Sequence, residues 1–236
     1  MFQSRKVKKI IQRYSEAGDK DEEQQVFLEL QRIGKPAFQS AIESFRQRNM
    51  TPEKAHFLLD KLGDDSCVED IVGLIMQPYD EARRVGRDLI LKRWRKASVP
   101  LLIECLTNPD LYARTNATEL LSRIKDASCE PALISLFNTA ESDAKKNIIK
   151  IMSRIDSQAG RKLILSAMSD ESLSVRQEAV KNIGRLKDPE SVEPLLEMLK
   201  EDDPRIKNLA MDALGAIGDK RAAEPLIPFL KDPDLL

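Results

Sequence analysis

The sequence predicts an all-α fold, a right-handed α-solenoid (superhelix) of about seven stacked helix-turn-helix repeats. Three observations predict it. Similar residue types return every 31 positions from Asp64 onward. Each unit contains two stretches whose apolar residues have helical spacing. The turns carry residues that cap helices and prolines that start them. A unit of this size cannot bury its apolar face alone, so stacking is required.

Columns of apolar or small residues carry the period. Four of them are Ile103, Ile134, Leu165, Leu196 and Ile227; Leu106, Phe137, Met168, Leu199 and Leu230; Ile90, Leu121, Met152, Ile183 and Leu214; and Gly86, Ala117, Ile148, Ala179 and Ala210. We expect these columns to contribute to the core between repeats.

Residues 1–63 lie outside the register and are predicted to form divergent N-terminal capping helical pairs, with helices at 2–16, 20–33, 36–48 and 51–62. Gly34 is expected to end the second helix. Thr51 and Pro52 supply an N-cap and a proline at the first helical position.

Residues 64–236 are predicted to form regular 31-residue repeats in one continuous solenoid. First helices are expected at 66–77, 98–107, 129–138, 160–168, 191–200 and 222–231, and second helices at 79–94, 110–124, 141–155, 172–186 and 204–217. The turn before each first helix contributes the column Asp64, Arg95, Asp126, Ser157, Asp188 and Asp219, which is rich in N-capping residues. Gly184, Gly215 and Gly218 are expected either to end a second helix or to let a neighbouring backbone approach.

The last residues, 232–236, resemble the start of another second helix. We therefore expect truncation within the last repeat. The apolar residues of 222–231 would then lie at an open end, available for self-association or a further domain.

Segments 203–207, 213–219, 175–179 and 183–184 resemble the HEAT repeat, in particular the subclass called PBS-lyase HEAT-like. The resemblance covers 64–236 well and 1–63 loosely. It implies a ladder that links successive repeats, formed by the columns Gln77, Asn108, Thr139, Asp170, Glu201 and Asp232, and Arg83, Arg114, Lys145, Arg176 and Lys207. Charge pairs are expected only between Asp170 and Arg176 and between Glu201 and Lys207.

Composition narrows the function classes. The formal net charge is −1, so no bulk attraction to nucleic acid or membrane is expected. Three cysteines favour a reducing compartment over a disulfide framework. No apolar run is long enough to insert in a membrane, and the basic start is not followed by the apolar region of a secretory signal. We expect a cytoplasmic protein, of a kind found in bacteria.

No catalytic, cofactor-binding or metal-binding residues are predicted. The only histidine is His56, and no zinc-ligand spacing or glycine-rich phosphate loop occurs. A lone histidine beside Phe57 and Leu58 is more often structural than catalytic. We therefore expect no enzyme activity.

One charged pattern recurs along the second helices. It predicts a positive groove for an anionic partner, made of Arg84, Lys92, Arg123, Lys146, Lys150, Arg154, Lys181 and Arg185. The resemblance places second helices on the concave surface. Ordinary solvated helix faces also collect lysine and arginine, and this explanation stays open.

Three functions remain. The first is a non-catalytic protein–protein interaction scaffold or adaptor that presents a concave surface. The second, suggested by the name of the repeat subclass, is a phycobilin-lyase-like chaperone or lyase subunit that handles a pigment on a partner protein. The third is a solenoid that binds the nucleic-acid backbone. We favour a protein partner over nucleic acid.

Overall fold

The computed structural model describes the backbone of residues 2–231 and the side chains of residues 5–229. The described residues form fifteen α-helices, six short 3-10 segments and no strand. The chain divides into two compact units, residues 1–120 and 121–236. The fold is an all-α solenoid of helical repeats. None of the described helices is both long enough and apolar enough to cross a lipid bilayer.

In unit 1 the helices are α1 (Phe2–Glu16), α2 (Lys20–Ile33), α3 (Lys35–Arg46), α4 (Pro52–Leu62), α5 (Val68–Val72), α6 (Asp80–Lys92) and α7 (Val99–Cys105). Helix α8 (Leu111–Ile124) crosses the limit between the units. Unit 2 contains α9 (Glu130–Thr139), α10 (Ser142–Ile155), α11 (Gln158–Ala167), α12 (Leu173–Leu186), α13 (Val192–Met198), α14 (Pro204–Ile217) and α15 (Ala223–Leu226). The expected helices at 66–77 and 222–231 are both irregular, because 3-10 segments flank α5 and α15 on both sides.

The capping column is confirmed at its five Asp and Ser positions. Each side chain accepts a backbone N–H two or three residues later: Asp64 from Ser66, Asp126 from Ser128, Ser157 from Gly160, Asp188 from Glu190 and Asp219 from Arg221. These bonds satisfy donors that have no partner within the helix. The turns therefore begin each repeat at the same register position.

The buried residues follow the 31-residue period, but in the first helices the buried column lies one residue away from a predicted one. Three predicted columns are buried at every position whose side chain is described, but in the fourth Ile103, Ile134 and Leu165 are only half-buried and Ile227 is exposed. The deepest first-helix column lies one residue earlier, at Leu102, Leu133, Ile164 and Leu195. First helices are short, and one position along a helix turns a side chain by about 100°. The half-buried column therefore lies at the margin of the core.

The predicted ladder exists, but its charge pairs join different residues from those expected. Arginines in the basic column donate to a backbone carbonyl six residues earlier, as seen for Arg83 with Gln77 (2.8 Å), Arg114 with Asn108 (2.7 Å) and Arg176 with Asp170 (3.0 Å). The expected carboxylate pairing of Asp170 with Arg176 is therefore wrong. The guanidinium reaches the main chain of its own repeat instead.

The carboxylates of unit 2 pair with a cation of the preceding repeat. Lys145 lies 2.8 Å from the carboxylate of Asp170, and Arg176 lies 3.3 Å from that of Glu201. Glu201 thus pairs with Arg176, 25 residues earlier, and not with Lys207 as expected. Arg176 therefore contacts its own repeat through the carbonyl of Asp170 and the next repeat through the carboxylate of Glu201.

The second helices of unit 2 pack directly on one another, α10 on α12 and α12 on α14, whereas α9 and α11 touch far less. Between α12 and α14 the approach requires a glycine: a Cβ on Gly184 would lie 2.6 Å from the Cβ of Ala213 and 2.8 Å from its Cα. Gly218 instead ends α14 with a left-handed φ of 70°. Gly184 and Gly218 thus take the two expected roles. The expectation is wrong for Gly215, which lies within α14 and has no atom within 4 Å of a Cβ at its position.

We expect Gly184→Ala to lower the free energy of unfolding by about 1–3 kcal/mol, because the added methyl meets the backbone of α14. Gly215→Ala is the matched control, one repeat later in the register. No atom lies within 4 Å of a Cβ at this position, so it should be neutral or stabilise by up to about 1 kcal/mol. Urea denaturation measures both; equal effects would contradict the close approach of α12 and α14.

The pair of Lys145 and Asp170 should make stability depend on pH. Burial acts to raise the pKa of Asp170. The hydrogen bonds from Lys145 and from the backbone of Ser172, together with the charges of Lys145 and Arg176, outweigh burial and hold the pKa below 3.8. A lowered pKa stabilises the fold above the ordinary pKa of the carboxyl, and this contribution disappears as pH falls through the folded value.

Asp170→Asn should therefore cost about 1 kcal/mol of unfolding free energy at pH 7. The deficit relative to wild type should shrink below pH 3.8, where the wild-type carboxyl also becomes neutral. Denaturant titrations at several pH values measure it, with Glu171→Gln as an exposed control. A deficit that is independent of pH would show that the ion pair is not its source.

Candidate anion-binding surface

The predicted basic residues fall on both units. Arg84 and Lys92 lie on α6 in unit 1, and Arg123 lies near the end of α8, in unit 2. Lys146, Lys150 and Arg154 lie on α10, and Lys181 and Arg185 on α12. Only the last five belong to helices that pack directly on each other within one unit.

Several of these cations already have acidic neighbours. Lys92 lies 2.7 Å from the carboxylate of Asp60. Burial acts to raise the pKa of Asp60, but the hydrogen bond and the charge of Lys92, together with the charge of Lys61, hold it below its ordinary value. Arg84 lies 4.0 Å from Glu53. Lys146 is half-buried and pairs with Asp143 at 2.8 Å, three residues earlier on the same helix. Their charges are therefore partly neutralised at their own sites.

Arg123 also interacts with another residue. This leaves four of the eight residues, Lys150, Arg154, Lys181 and Arg185, which we call the α10–α12 cation cluster. All four are exposed, and none forms an ion pair with another residue among those described. On each helix the two members are four residues apart and so share a face, one turn from each other. The cluster thus presents unpaired positive charge to solvent on two adjacent helices.

A buried hydrogen bond fixes the two helices under this cluster. Ser153 on α10 lies 2.9 Å from the side-chain oxygen of Asn182 on α12, and both residues are buried. The amide of Asn182 donates back to the main chain and side chain of Glu178. Ser153 precedes Arg154, and Asn182 follows Lys181. The polar contact therefore holds the two pairs of cations at one helix–helix contact.

The positive column stops at α14. Asp212 occupies the position equivalent to Lys150 and Lys181, and Ala216 the position equivalent to Arg154 and Arg185. Asp212 and Ala216 are exposed. The cluster therefore covers the width of two helices and borders an exposed carboxylate. The sequence pattern contained the cations and this boundary, but it could not show which cations are neutralised.

The histidine and the three cysteines of the chain are half-buried or buried. His56 is half-buried on α4. Cys67, Cys105 and Cys129 are buried, and burial raises the pKa of Cys129 to about 11, which disfavours the reactive thiolate. Within the described part of the chain, no three His, Cys, Asp or Glu side chains converge as metal ligands.

The expectation about the open end lies partly outside the described residues. Residues 232–236 and the side chain of Leu230 belong to that undescribed part. Before it, Ile227 is exposed and Leu226 and Phe229 are half-buried.

Comparison with known proteins finds a family model that matches part of the chain. Residues 160–235 match the model of HEAT repeats. No curated protein matches the sequence significantly.

Three solved structures illustrate the similarity. Human deoxyhypusine hydroxylase in complex with glycerol shares 14% identity over 92% of this chain and 98% of its own, with a TM-score of 0.44. An engineered protein shares 18% over 90% and 96%, with a TM-score of 0.44. The complex of CpcE and CpcF of phycocyanin lyase from a Nostoc species shares 24% over 80% of each chain, with a TM-score of 0.41. Likeness at this level assigns neither a substrate nor a partner.

Proposed function

Residues 160–235 are HEAT repeats, and from this premise we propose that the protein is a non-catalytic interaction scaffold whose α10–α12 cation cluster binds an acidic segment of a partner protein. The observation that supports the proposal is that the four cations of the cluster are unpaired. They are exposed and have no acidic partner among the described residues. An acidic segment gains their attraction without first breaking an ion pair.

The packing of the second helices supports this surface. Helices α10, α12 and α14 lie side by side in close contact, whereas the first helices α9 and α11 touch much less. A layer of closely packed helices backed by a looser layer favours curvature towards the closely packed side. A partner segment would then meet both cation pairs at once. Binding energy would come from several modest electrostatic contacts.

A protein segment fits this cluster better than a long nucleic-acid strand. The positive column ends at Asp212 and Ala216 on α14, so a continuous phosphate backbone would approach an exposed carboxylate. Strong binding to nucleic acid usually engages many phosphates. A short acidic segment, by contrast, can end where the cluster ends.

The test uses the full chain and a fluorescent peptide rich in Asp and Glu, followed by fluorescence anisotropy. We expect binding that weakens with added salt, and Arg154→Glu combined with Arg185→Glu should reduce affinity at least about tenfold. Both substitutions are exposed and should change the unfolding free energy by less than about 0.5 kcal/mol. The matched control is Lys162→Glu with Lys220→Glu, which changes net charge equally at exposed positions outside the cluster.

Equal losses in the two double variants would mean that net charge, and not the cluster, determines binding. Absence of binding in the wild type would contradict the proposal directly. A single-stranded oligonucleotide of mixed sequence is measured in parallel. If it bound more tightly than the acidic peptide and depended on the same two arginines, the nucleic-acid alternative would replace the protein partner.

A further inference from the structure

Helix α1 of unit 1 separates its charged and apolar residues onto opposite sides. Between residues 5 and 13 the exposed side chains are five cations and one amide: Arg5, Lys6, Lys8, Lys9, Arg13 and Gln12. The buried side chains of the helix are Val7, Ile10, Ile11 and Tyr14. A basic amphipathic helix of this kind is typical of proteins that contact a membrane surface or that place the helix in the groove of a partner.

Four of the cations form a compact group, Arg5, Lys6, Lys8 and Lys9, which we call the α1 cation face. They lie within about 6 Å along the helix axis and cover an arc of about 160° on the side opposite the buried residues. None of the four forms an ion pair with another described residue. Arg13 is left out, because its guanidinium lies 3.5 Å from the carboxylate of Glu29. The α1 cation face therefore presents four unpaired positive charges on one convex surface.

The acidic residues around this face do not cancel its charge. Glu43 lines a cavity of about 630 Å³ together with Lys6 and Lys8 and is not ion-paired to either of them. The same cavity is lined by Arg32, an exposed cation of α2 that balances the charge of Glu43. With Glu29 balanced by Arg13, the four charges of the α1 cation face remain in excess.

The apolar side of α1 is not available to a partner. It packs against α2 and α3, and its four buried side chains are at most 4% exposed. Lys54 of α4 also holds the end of the helix: its ammonium donates to the carbonyls of Tyr14 (3.0 Å), Ser15 (3.1 Å) and Ala17 (2.8 Å). A partner groove that takes the apolar side would first have to remove α1 from unit 1. The fold therefore favours contact through the cations alone.

We propose that the α1 cation face binds the anionic headgroups of a lipid membrane, by electrostatic attraction and without insertion into the hydrocarbon layer. Each lysine or arginine held near an anionic lipid surface adds to the attraction. Three of the four cations are lysines, whose ammonium groups are point charges that require no fixed partner geometry. Headgroups that move within the plane of a membrane can gather beneath such a group of charges.

A membrane fits this face better than nucleic acid does. The face extends only about 6 Å along the helix, so it meets few phosphates of a strand, whereas strong binding to nucleic acid engages many. Tyr14, the aromatic residue among the described side chains of α1, is buried and does not stack on a base. The face consists of residues of unit 1 and is independent of the α10–α12 cation cluster.

The test is sedimentation of the full chain with vesicles made of equal parts phosphatidylserine and phosphatidylcholine, compared with vesicles of phosphatidylcholine alone. The anionic vesicles should bind at least about tenfold more strongly, and salt well above the physiological concentration should release the protein. Equal binding to both vesicles would overturn the proposal. Binding that survives high salt would show insertion of apolar residues, which would also contradict it.

Lys6→Gln with Lys9→Gln should weaken binding to the anionic vesicles at least about tenfold, because two of the four charges are removed. Lys162→Gln with Lys220→Gln is the matched control. It removes two exposed lysines of unit 2 and should change affinity by less than about twofold. An equal loss in both double variants would mean that net charge alone determines binding.

Two further measurements separate this face from the other candidates. Lys150→Gln with Lys181→Gln removes two charges of the α10–α12 cation cluster and should weaken vesicle binding less than the α1 variant does. A larger loss would place the lipid contact in unit 2 and overturn the proposal. A short DNA duplex is titrated in parallel. If it bound more tightly than the anionic vesicles and depended on Lys6 and Lys9, nucleic acid would replace the membrane as the partner of this face.

Discussion

The close approach of the second helices is the constraint on which the surface of unit 2 depends. The close approach of Gly184 and Ala213 sets the spacing of α12 and α14. The hydrogen bond between Ser153 and Asn182 sets the spacing of α10 and α12. One contact is apolar and needs the absence of a side chain, whereas the other is polar and needs two matched groups in a buried place. Both leave the outward faces of these helices to residues that contribute little to the core. Charge can therefore accumulate there without disturbing the stack.

The ladder of side-chain contacts links the turns of successive repeats. Arg176 donates to the carbonyl of Asp170 in its own repeat and pairs with Glu201 in the next. Because one side chain contacts both repeats, it couples the turn of one repeat to the position of its neighbour. Half-buried ion pairs contribute modestly to stability, so the apolar columns supply most of the free energy and the ladder chiefly fixes the register.

Much of the fold could be predicted from the sequence because its signals are local and repeated. Asp64, Asp126 and Asp219 cap their turns through bonds to residues only two positions away, and such bonds depend on little beyond the turn itself. The ladder partners could not be predicted as safely. Asp170 lies equally well placed in the sequence for Arg176 and for Lys145, and only packing decides that its carboxylate faces the preceding repeat.

The candidate site could be predicted in part, because its cations also recur at the period of the repeats. A column of cations is visible in the sequence, but whether each cation is ion-paired depends on residues that can be distant in the sequence. Lys92 is neutralised by Asp60, which lies 32 positions earlier in a segment outside the regular register.

Pairing distinguishes a binding surface from an ordinary solvated face better than the number of charges does. Lysine and arginine are common throughout this chain and nearly balanced by acids. Where a cation is paired with a carboxylate of the same chain, an incoming anion must compete with that carboxylate. Where the cation is unpaired, its positive charge attracts the anion without competition. Lys146 with Asp143 illustrates the first condition, and Lys150, one turn further along α10, the second. The same contrast separates Arg13 from Lys8 on α1. In a nearly neutral solenoid, a candidate surface for an anionic partner is therefore found where the internal ion pairs are absent.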